Sequence, residues 1–441
     1  MMNDRRNEEY AAKLGWLIAE KTVSGTGATG EGFPAFRTLL AEEFPNLFRA
    51  AECEVIDGAL LLRLRGEDGR APVLFMNHHD VVEAPGEWTH PPFAGEVADG
   101  RIWGRGVLDT KGGLFAMLQA AEELVAEGIL LPRDIYFFSS CNEETTGAAA
   151  DTVSSLLALR GLRFAMVLDE GGMILDEPIG GAKGNFAMVG VGEKGFTNLK
   201  FTARSQGGHA STPGKGTPLV RLGQFMAEVE KNNPFRTEIS PTVAEMFRRL
   251  APSMHGALGR VLAHPRLFAP VLKKAIPAAS ATAGAMLRTT VAFTKAEGSA
   301  AANVLPREAY VIANMRYSHH EGKEASVAAI AQVAERFGIE TEVIQAGFDS
   351  PLTDYNSNGF RAAEEAVTAV FPDVKTAPYV MAAASDCRFM GRVSDCCLRF
   401  VPFKITKEQL ASVHGADENV DISTLAPAVD FYKILMQNKD I

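Results

Sequence analysis

The sequence predicts an α/β protein: a domain built on a mixed, mostly parallel sheet, interrupted by an inserted α+β domain. Three observations lead there. Short apolar runs alternate with helical segments through the first third of the chain, chemically active residues cluster where those runs end, and the texture changes near Gly195. Strands separated by helices imply parallel pairing. At 441 residues the chain exceeds one small core and suits about two to three domain-sized units.

Taken in order, Ala71-Pro-Val-Leu-Phe-Met76 is a compact apolar run stopped by polar residues, the mark of a buried strand. Residues 114–124 carry apolar side chains at helical spacing between Gly112-Gly113 and Gly128. Asp134-Ile-Tyr-Phe-Phe-Ser139 and Phe164-Ala-Met-Val-Leu168 are further strands. From Phe196 to Ala203 the pattern alternates, residues 218–230 read as a helix, and the Ala-, Leu- and Pro-rich stretch 241–285 holds more helices. Strand character returns at 289–293 and 309–314, then a helix to Phe337 precedes a strand at 340–344. The expected division is a discontinuous first domain, residues 1–195 and 319–441, around an insert at 196–318.

Composition narrows function. With 46% hydrophobic and 22% charged residues the chain is an ordinary globular protein, not a disordered, collagen-like or coiled-coil one. A net charge of -10 lacks the basic footprint of a nucleic-acid binder and argues against an anionic membrane surface as partner. The N-terminal stretch has no apolar signal-peptide core, and no apolar run reaches the roughly 18–20 residues needed to span a bilayer. Five cysteines, two of them adjacent and none in a CxxC pair, are neither a disulfide framework nor a thiolate zinc site. The expected compartment is the reducing cytoplasm.

Four clusters stand at or just after strand ends, where an open α/β sheet binds ligands: Asn77-His78-His79-Asp80, Gly106-Val-Leu-Asp109-Thr-Lys-Gly112, Asn142-Glu143-Glu144-Thr-Thr-Gly147 and Leu168-Asp169-Glu170-Gly-Gly172. A fifth, His414-Gly-Ala-Asp-Glu-Asn419, lies near the C-terminus. Each alone is weak, since a His two residues from an Asp is more often a satisfied polar pair and adjacent glutamates are usually a solvated helix face. Glu143-Glu144 differs because it follows a strand; burying two neighbouring carboxylates needs a cation or a shared proton. Imidazoles and carboxylates without thiolate suit zinc or a similar divalent metal. Five such clusters together favour a metal site. His90, His255 and His264 fall in Pro- or Gly-flanked loops, and Cys141 reads better as a buried structural thiol than as a ligand.

His78-His79-Asp80-Val-Val, Gly104-Arg-Gly-Val-Leu-Asp109-Thr-Lys-Gly-Gly113, Glu143-Glu144-Thr-Thr-Gly147 and Gly208-His209-Ala-Ser resemble the di-zinc aminoacylase and carboxypeptidase family, which includes carboxypeptidase G and succinyl-diaminopimelate desuccinylase. Asp99-Gly-Arg-Ile-Trp-Gly-Arg-Gly106, Leu168-Asp-Glu-Gly-Gly172, Glu193-Lys-Gly195 and Asn303-Val-Leu-Pro306 carry a closer likeness to its carboxypeptidase S and N-fatty-acyl amino acid hydrolase branch. The resemblance spans about residues 10–435. It implies a zinc-peptidase-like catalytic domain, an inserted dimerisation or lid domain, a homodimer, and two Zn2+ per chain with Co2+ or Mn2+ as substitutes. It implies the metal ligands His78, Asp109 as the bridge, Glu144, Glu170 and His414, with Asp169 the alternative to Glu170. Asp80 would orient His78, and Glu143 would act as general base. His209 would stabilise the oxyanion in the partner's site, with Asn303 and Arg316 binding substrate. His79 and the His319-His320 pair have no family counterpart. The activity implied is hydrolysis of an amide beside a free carboxylate, in an N-acyl amino acid or a dipeptide. A catalytically dead scaffold, or a single-metal hydrolase of another bond, are the competing readings.

Overall fold

The structure, a computed structural model, describes residues 2–25, 30, 32–67 and 69–441. A ten-stranded mixed sheet forms its centre. Val73–His78 lies between Ile135–Ser140 and Met166–Asp169 and runs parallel to both, and Cys397–Arg399 extends the parallel run beyond Met166–Asp169. Ala59–Leu64 and Glu52–Ile56 close one margin antiparallel. Asn185–Glu193 leads toward the other and pairs in parallel with Lys375–Met381. Every residue of Val73–His78 and Ile135–Ser140 is buried because helices cover both faces. Alternation sorts their side chains: Val73, Phe75, Ile135 and Phe137 enter one core, and Leu74, Met76, Tyr136 and Phe138 enter the other. No described helix is long and apolar enough to cross a membrane.

Helix Lys111–Ala126 is apolar nearly all round because the sheet, Met2–Ala19 and Leu425–Gln437 enclose it. Gly113 lets its first turn come close to the end of Val73–His78, since a Cβ there would stand 2.6 Å from Asn77 Oδ1. That approach sets the loop ahead of the helix beside His78.

A second, four-stranded antiparallel sheet runs in the order Thr290–Glu297, Glu308–Tyr317, Gly195–Arg204, Ile339–Gln345. Helices Pro218–Lys231 and Gly322–Glu335 cover one face, with Leu222, Phe225, Ile330 and Val333 against Leu199, Phe201, Val311 and Ala313. The expected return of the chain to the first domain near 319 is therefore displaced. Gly322–Glu335 buries its apolar stripe on the small sheet, and Ile339–Gln345 completes that sheet's ladder, so this unit continues to about Gln345. Nor does the whole insert belong with it. The helices from Pro241 to Ala285 rest on the large sheet, where Val243, Met246, Phe247 and Leu250 meet Phe186, Met188 and Ala377.

Arg399 and Glu193, both fully buried, tie two strands of the large sheet at 2.7 Å. Arg399 also donates to Cys397 O and Ser350 Oγ, while Glu193 accepts from the backbone and hydroxyl of Ser385. Arg399→Met leaves Glu193 as an uncompensated buried charge and is expected to destabilise by about 3–5 kcal/mol in urea unfolding. The double variant with Glu193→Leu should recover most of that loss; no recovery would mean that charge pairing is not the cause.

Candidate metal centre

The parallel strands bring their carboxyl ends to one edge of the sheet. His78 ends Val73–His78, Glu143 and Glu144 occupy the turn after Ile135–Ser140, and Glu170 follows Met166–Asp169. Asp109 comes from the loop before Lys111–Ala126, and His414 from the turn after Lys407–Ser412. His414 holds φ at 62°, a left-handed conformation that a non-glycine residue keeps only where its surroundings hold it.

These pieces close on Asp109. His78 Nε2 lies 2.9 Å from Asp109 Oδ1, and His414 Nε2 lies 3.0 Å from Asp109 Oδ2 and 3.2 Å from Glu144 Oε2. One donor atom each from His78, Asp109 and Glu144 falls within 4.8 Å of the others. Glu144 Oε1 is buried with no hydrogen-bond partner among the described residues. A carboxylate oxygen in that position needs a cation or a proton, and this donor set fits a divalent metal.

The surrounding groups fix the geometry. Asp80 accepts the backbone N–H groups of both Glu143 and Glu144 at 3.2 Å, and the Ser24 hydroxyl at 2.7 Å. His78 Nδ1 faces the Asp80 backbone oxygen at 2.8 Å, with the Asp80 carboxylate at 3.5 Å. Asp80 thus holds the glutamate turn as firmly as it holds the imidazole. Glu418, buried and paired with Arg105 at 2.7 Å, accepts from the backbone N–H groups of Gly106, Leu108 and Asp109 and so shapes the loop that presents Asp109. Glu143 pairs with Arg388 at 3.3 Å; Arg388 stacks on Phe348 and Phe389 and lies 3.7 Å from Asp386.

The other expected residues are not bonded to this cluster. Glu170 makes no hydrogen bond with the cluster, but its charge is felt together with those of Asp109 and Glu143. Asp169 accepts from Cys387 N at 2.8 Å, toward the turn Asp386–Arg392. His209 and Asn303 are exposed on the small-sheet unit: His209 sits in a two-residue strand opposite Val304 and bonds Ser211 Oγ at 2.7 Å, and none of its described partners belongs to the His78 cluster. Arg316 bonds Asn314 through Nε, covers Phe196, and keeps Nη1 buried without a described partner, near enough to Arg388 to feel its charge. His79 is packed between Phe33 and Phe36, and Cys141 is buried with its thiol on Asp57 O.

Arg388, Asp386 and Glu418 carry structural duties that the sequence reading did not assign. A signal existed for each: Glu418 belongs to the cluster His414-Gly-Ala-Asp-Glu-Asn419, and Ser385-Asp-Cys-Arg388 follows strand Lys375–Met381 of the same sheet, as the other clusters follow theirs.

Electrostatics reflect the crowding of carboxylates. Burial, reinforced by Asp386, pushes Glu143 well above the usual carboxylate range, and burial takes Asp386 up to about 7. Burial likewise raises Glu170, with Asp109 the next cause. Asp109 resists its own burial because His414 and His78 hydrogen-bond it, and stays low. The reciprocal effect lifts His414 to about 10, chiefly through Asp109 and then Glu144.

A sheet whose carboxyl edge gathers imidazoles and carboxylates around a shared aspartate is the arrangement of a metal-dependent hydrolase. The chain belongs to Peptidase family M20/M25/M40, which it matches over residues 74–438. It is 31% identical to the human N-fatty-acyl-amino acid synthase/hydrolase PM20D1, over 96% of this chain and 86% of that protein. It is 30% identical to a probable carboxypeptidase S-like 2 from Dictyostelium discoideum, over 98% and 85%. Among solved structures, the M20 family metallo-carboxypeptidase Sso-CP2 from Sulfolobus solfataricus shares the fold with a TM-score of 0.70 at 18% identity, covering 97% of this chain and 98% of that one. Human carnosine dipeptidase 1 does so at 0.67 and 15%, covering 99% and 96%.

A protonated His414 must lose its proton before it can bind a metal. Zinc added to chelator-stripped protein at pH 7.5 is therefore expected to release protons, measured by calorimetry in buffers of different ionisation enthalpy. Apparent affinity should rise with pH toward about 10, where His414 is freed, and fall as pH drops. Binding with no proton release would exclude His414 as a ligand.

Proposed function

We propose that the chain hydrolyses the amide bond of N-acyl amino acids, or of small peptides with a free carboxylate, using two zinc ions that Co2+ or Mn2+ can replace. The observation that carries this reading is the convergence of His78, Asp109 and Glu144 within 4.8 Å, with Glu143 next to Glu144 but turned to Arg388. His78, Asp109 and Glu170 would hold one ion, and Asp109, Glu144 and His414 the other. The exit of the Asp169 carboxylate toward Cys387 supports Glu170 as the third carboxylate. When bound, such ions polarise the substrate carbonyl and lower the pKa of the attacking water.

The protein's own groups do the rest. Glu143, in its carboxylate form beside Arg388, takes the proton from the water and delivers it to the leaving nitrogen, and Arg388 keeps it out of the ligand set. Asp80 holds Glu143 and Glu144 through their backbone, so base and ligand keep a fixed spacing. Arg316, whose buried Nη1 has no partner among the described residues, grips the substrate carboxylate, and Asn303 contacts the substrate from the same unit. His209 stabilises the oxyanion. Its exposure and its distance in the chain from the metal ligands support action in the site of a second subunit, in a homodimer joined along the exposed edge strand Thr290–Glu297. Five unpaired cysteines suit the reducing cytoplasm.

Purified protein should contain zinc by elemental analysis and should cleave an N-acyl amino acid until a chelator removes the metal. Glu143→Ala should keep its metal and lose turnover by about 10²–10⁴-fold; near-normal turnover would place the base elsewhere. Glu143→Ala and His209→Ala homodimers should each be nearly inactive, whereas their co-expression restores part of the activity, because one site of the heterodimer keeps both residues. No rescue from verified heterodimers would confine His209 to its own subunit.

A further inference from the structure

A run of aromatic and guanidinium contacts joins the two halves of the proposed site, and Phe348 stands at its middle. This residue belongs to the loop that follows Ile339–Gln345 and returns the chain from the small sheet to the large one. Its ring meets Phe196 edge-on at 4.9 Å between centroids and Phe389 at 5.8 Å, and the Arg388 guanidinium lies 4.7 Å from its centre. Phe196, near the start of strand Gly195–Arg204, has Arg316 over its ring at 5.1 Å. Arg388 in turn pairs with Glu143 at 3.3 Å. Contacts therefore run from Arg316 through Phe196, Phe348 and Arg388 to Glu143. The backbone holds the central ring from both sides. The Tyr317 hydroxyl donates to Phe348 O at 2.6 Å and lies 2.7 Å from Asp349 Oδ1, and Ser350 Oγ accepts from Arg399 at 3.1 Å. Gly347 takes a φ of 64°, and a Cβ there would overlap Phe196 O, so bare backbone lets the loop press against that strand.

Resting on the hydrolase reading above, we infer that Phe348 is a positioning residue: it fixes Arg388 against the base and Phe196 beneath Arg316, and so sets the spacing between the group that grips the substrate carboxylate and the group that moves the proton. The two arginines are near enough for Arg388 to lower the pKa of Arg316, so their charges repel. Aromatic faces are negative and attract cations, most strongly where water is excluded, and Arg388 is buried. Phe389 shares the turn Asp386–Arg392 with Arg388 and holds it from its own side of the site. Phe348 arrives from the loop between the two sheets and touches both sides. Spacing matters because a base must stay within hydrogen-bond reach of its proton while the substrate is held by its far end, and a misplacement of about 1 Å can cost about 100-fold. A half-buried loop side chain that only filled space could be replaced by leucine. Leucine lacks the π face, and this difference makes the role testable.

The test compares Phe348→Leu, which removes the ring, with Phe348→Tyr, which keeps it. Both are assayed on an N-acyl amino acid and on the same compound with its carboxylate converted to a primary amide. For the acid, Phe348→Leu should lower kcat about 10- to 30-fold through Arg388 and raise KM about three- to tenfold through Arg316. For the amide, which gives Arg316 no carboxylate to grip, the kcat loss should persist and the KM rise should vanish. Phe348→Tyr should recover both constants to within about threefold. In the crystal structure of Phe348→Leu, Arg388 should no longer pair with Glu143. Should that variant fold poorly, Phe348→Met takes its place, with an unbranched apolar side chain and no ring. Kinetic constants of the ring-less variant within about twofold of the parent protein, an equal KM rise for acid and amide, or Arg388 still paired with Glu143 in the crystal structure overturns the positioning role and leaves the hydrolase reading standing. Should neither N-acyl amino acids nor dipeptides be cleaved by the parent protein, the hydrolase reading falls instead, and the crystal structure decides the positioning role alone.

Discussion

The governing constraint is negative charge gathered in a place that water cannot screen. Asp80, Asp109, Glu143, Glu144, Asp169, Glu170 and Asp386 converge on one edge of the sheet, with Arg388 and the imidazoles of His78 and His414 to offset them. In low dielectric such a set stands only if positive charge is added or protons are retained. The groups respond in step: Asp109 and Glu144 lift His414 to about 10, and burial raises Glu143 well above the usual carboxylate range and Asp386 to about 7. A divalent metal would replace the protons with a stronger charge, which is why metal binding and protonation are two readings of one demand.

Much of this was legible from the order of residues. The apolar runs before His78, before Glu143 and before Asp169 are strands, and the rule that ligands gather beyond the carboxyl ends of parallel strands located the edge. The adjacent pair Glu143-Glu144 was readable as unusual because it follows a fully buried strand. What stayed hidden depends on contacts between distant parts of the chain. Nothing local to Gly322–Glu335 says which of two sheets its apolar face will cover, so the boundary moved from 318 to about 345. Likewise Glu418 stands in the last candidate cluster with no assigned role until the fold buries it against Arg105 and the loop of Asp109. Periodicity identifies a face that must be buried; it does not name the partner.

The second layer of the site has a common design. Asp80, Glu418 and Glu193 are buried carboxylates that spend their oxygens on backbone N–H groups of neighbouring loops. A carboxylate that accepts several backbone donors fixes a loop without itself needing a metal. Loops carry the reactive side chains, yet their course is set by buried acids at or beside the strand ends, and this gives irregular segments the precision that a reaction centre needs.

The donors that meet at Asp109 are drawn from His78 at one extreme and His414 at the other, and Leu425–Gln437 must dock on Lys111–Ala126 for that end of the chain to be in place. A chain emerging from its N-terminus therefore exposes its histidine and most of its acids long before the closing imidazole exists. Half-made or clipped molecules would hold carboxylates with nothing to arrange them. The wide spacing in sequence means that the set of donors around Asp109 is incomplete until the segment carrying His414 has been made and has docked.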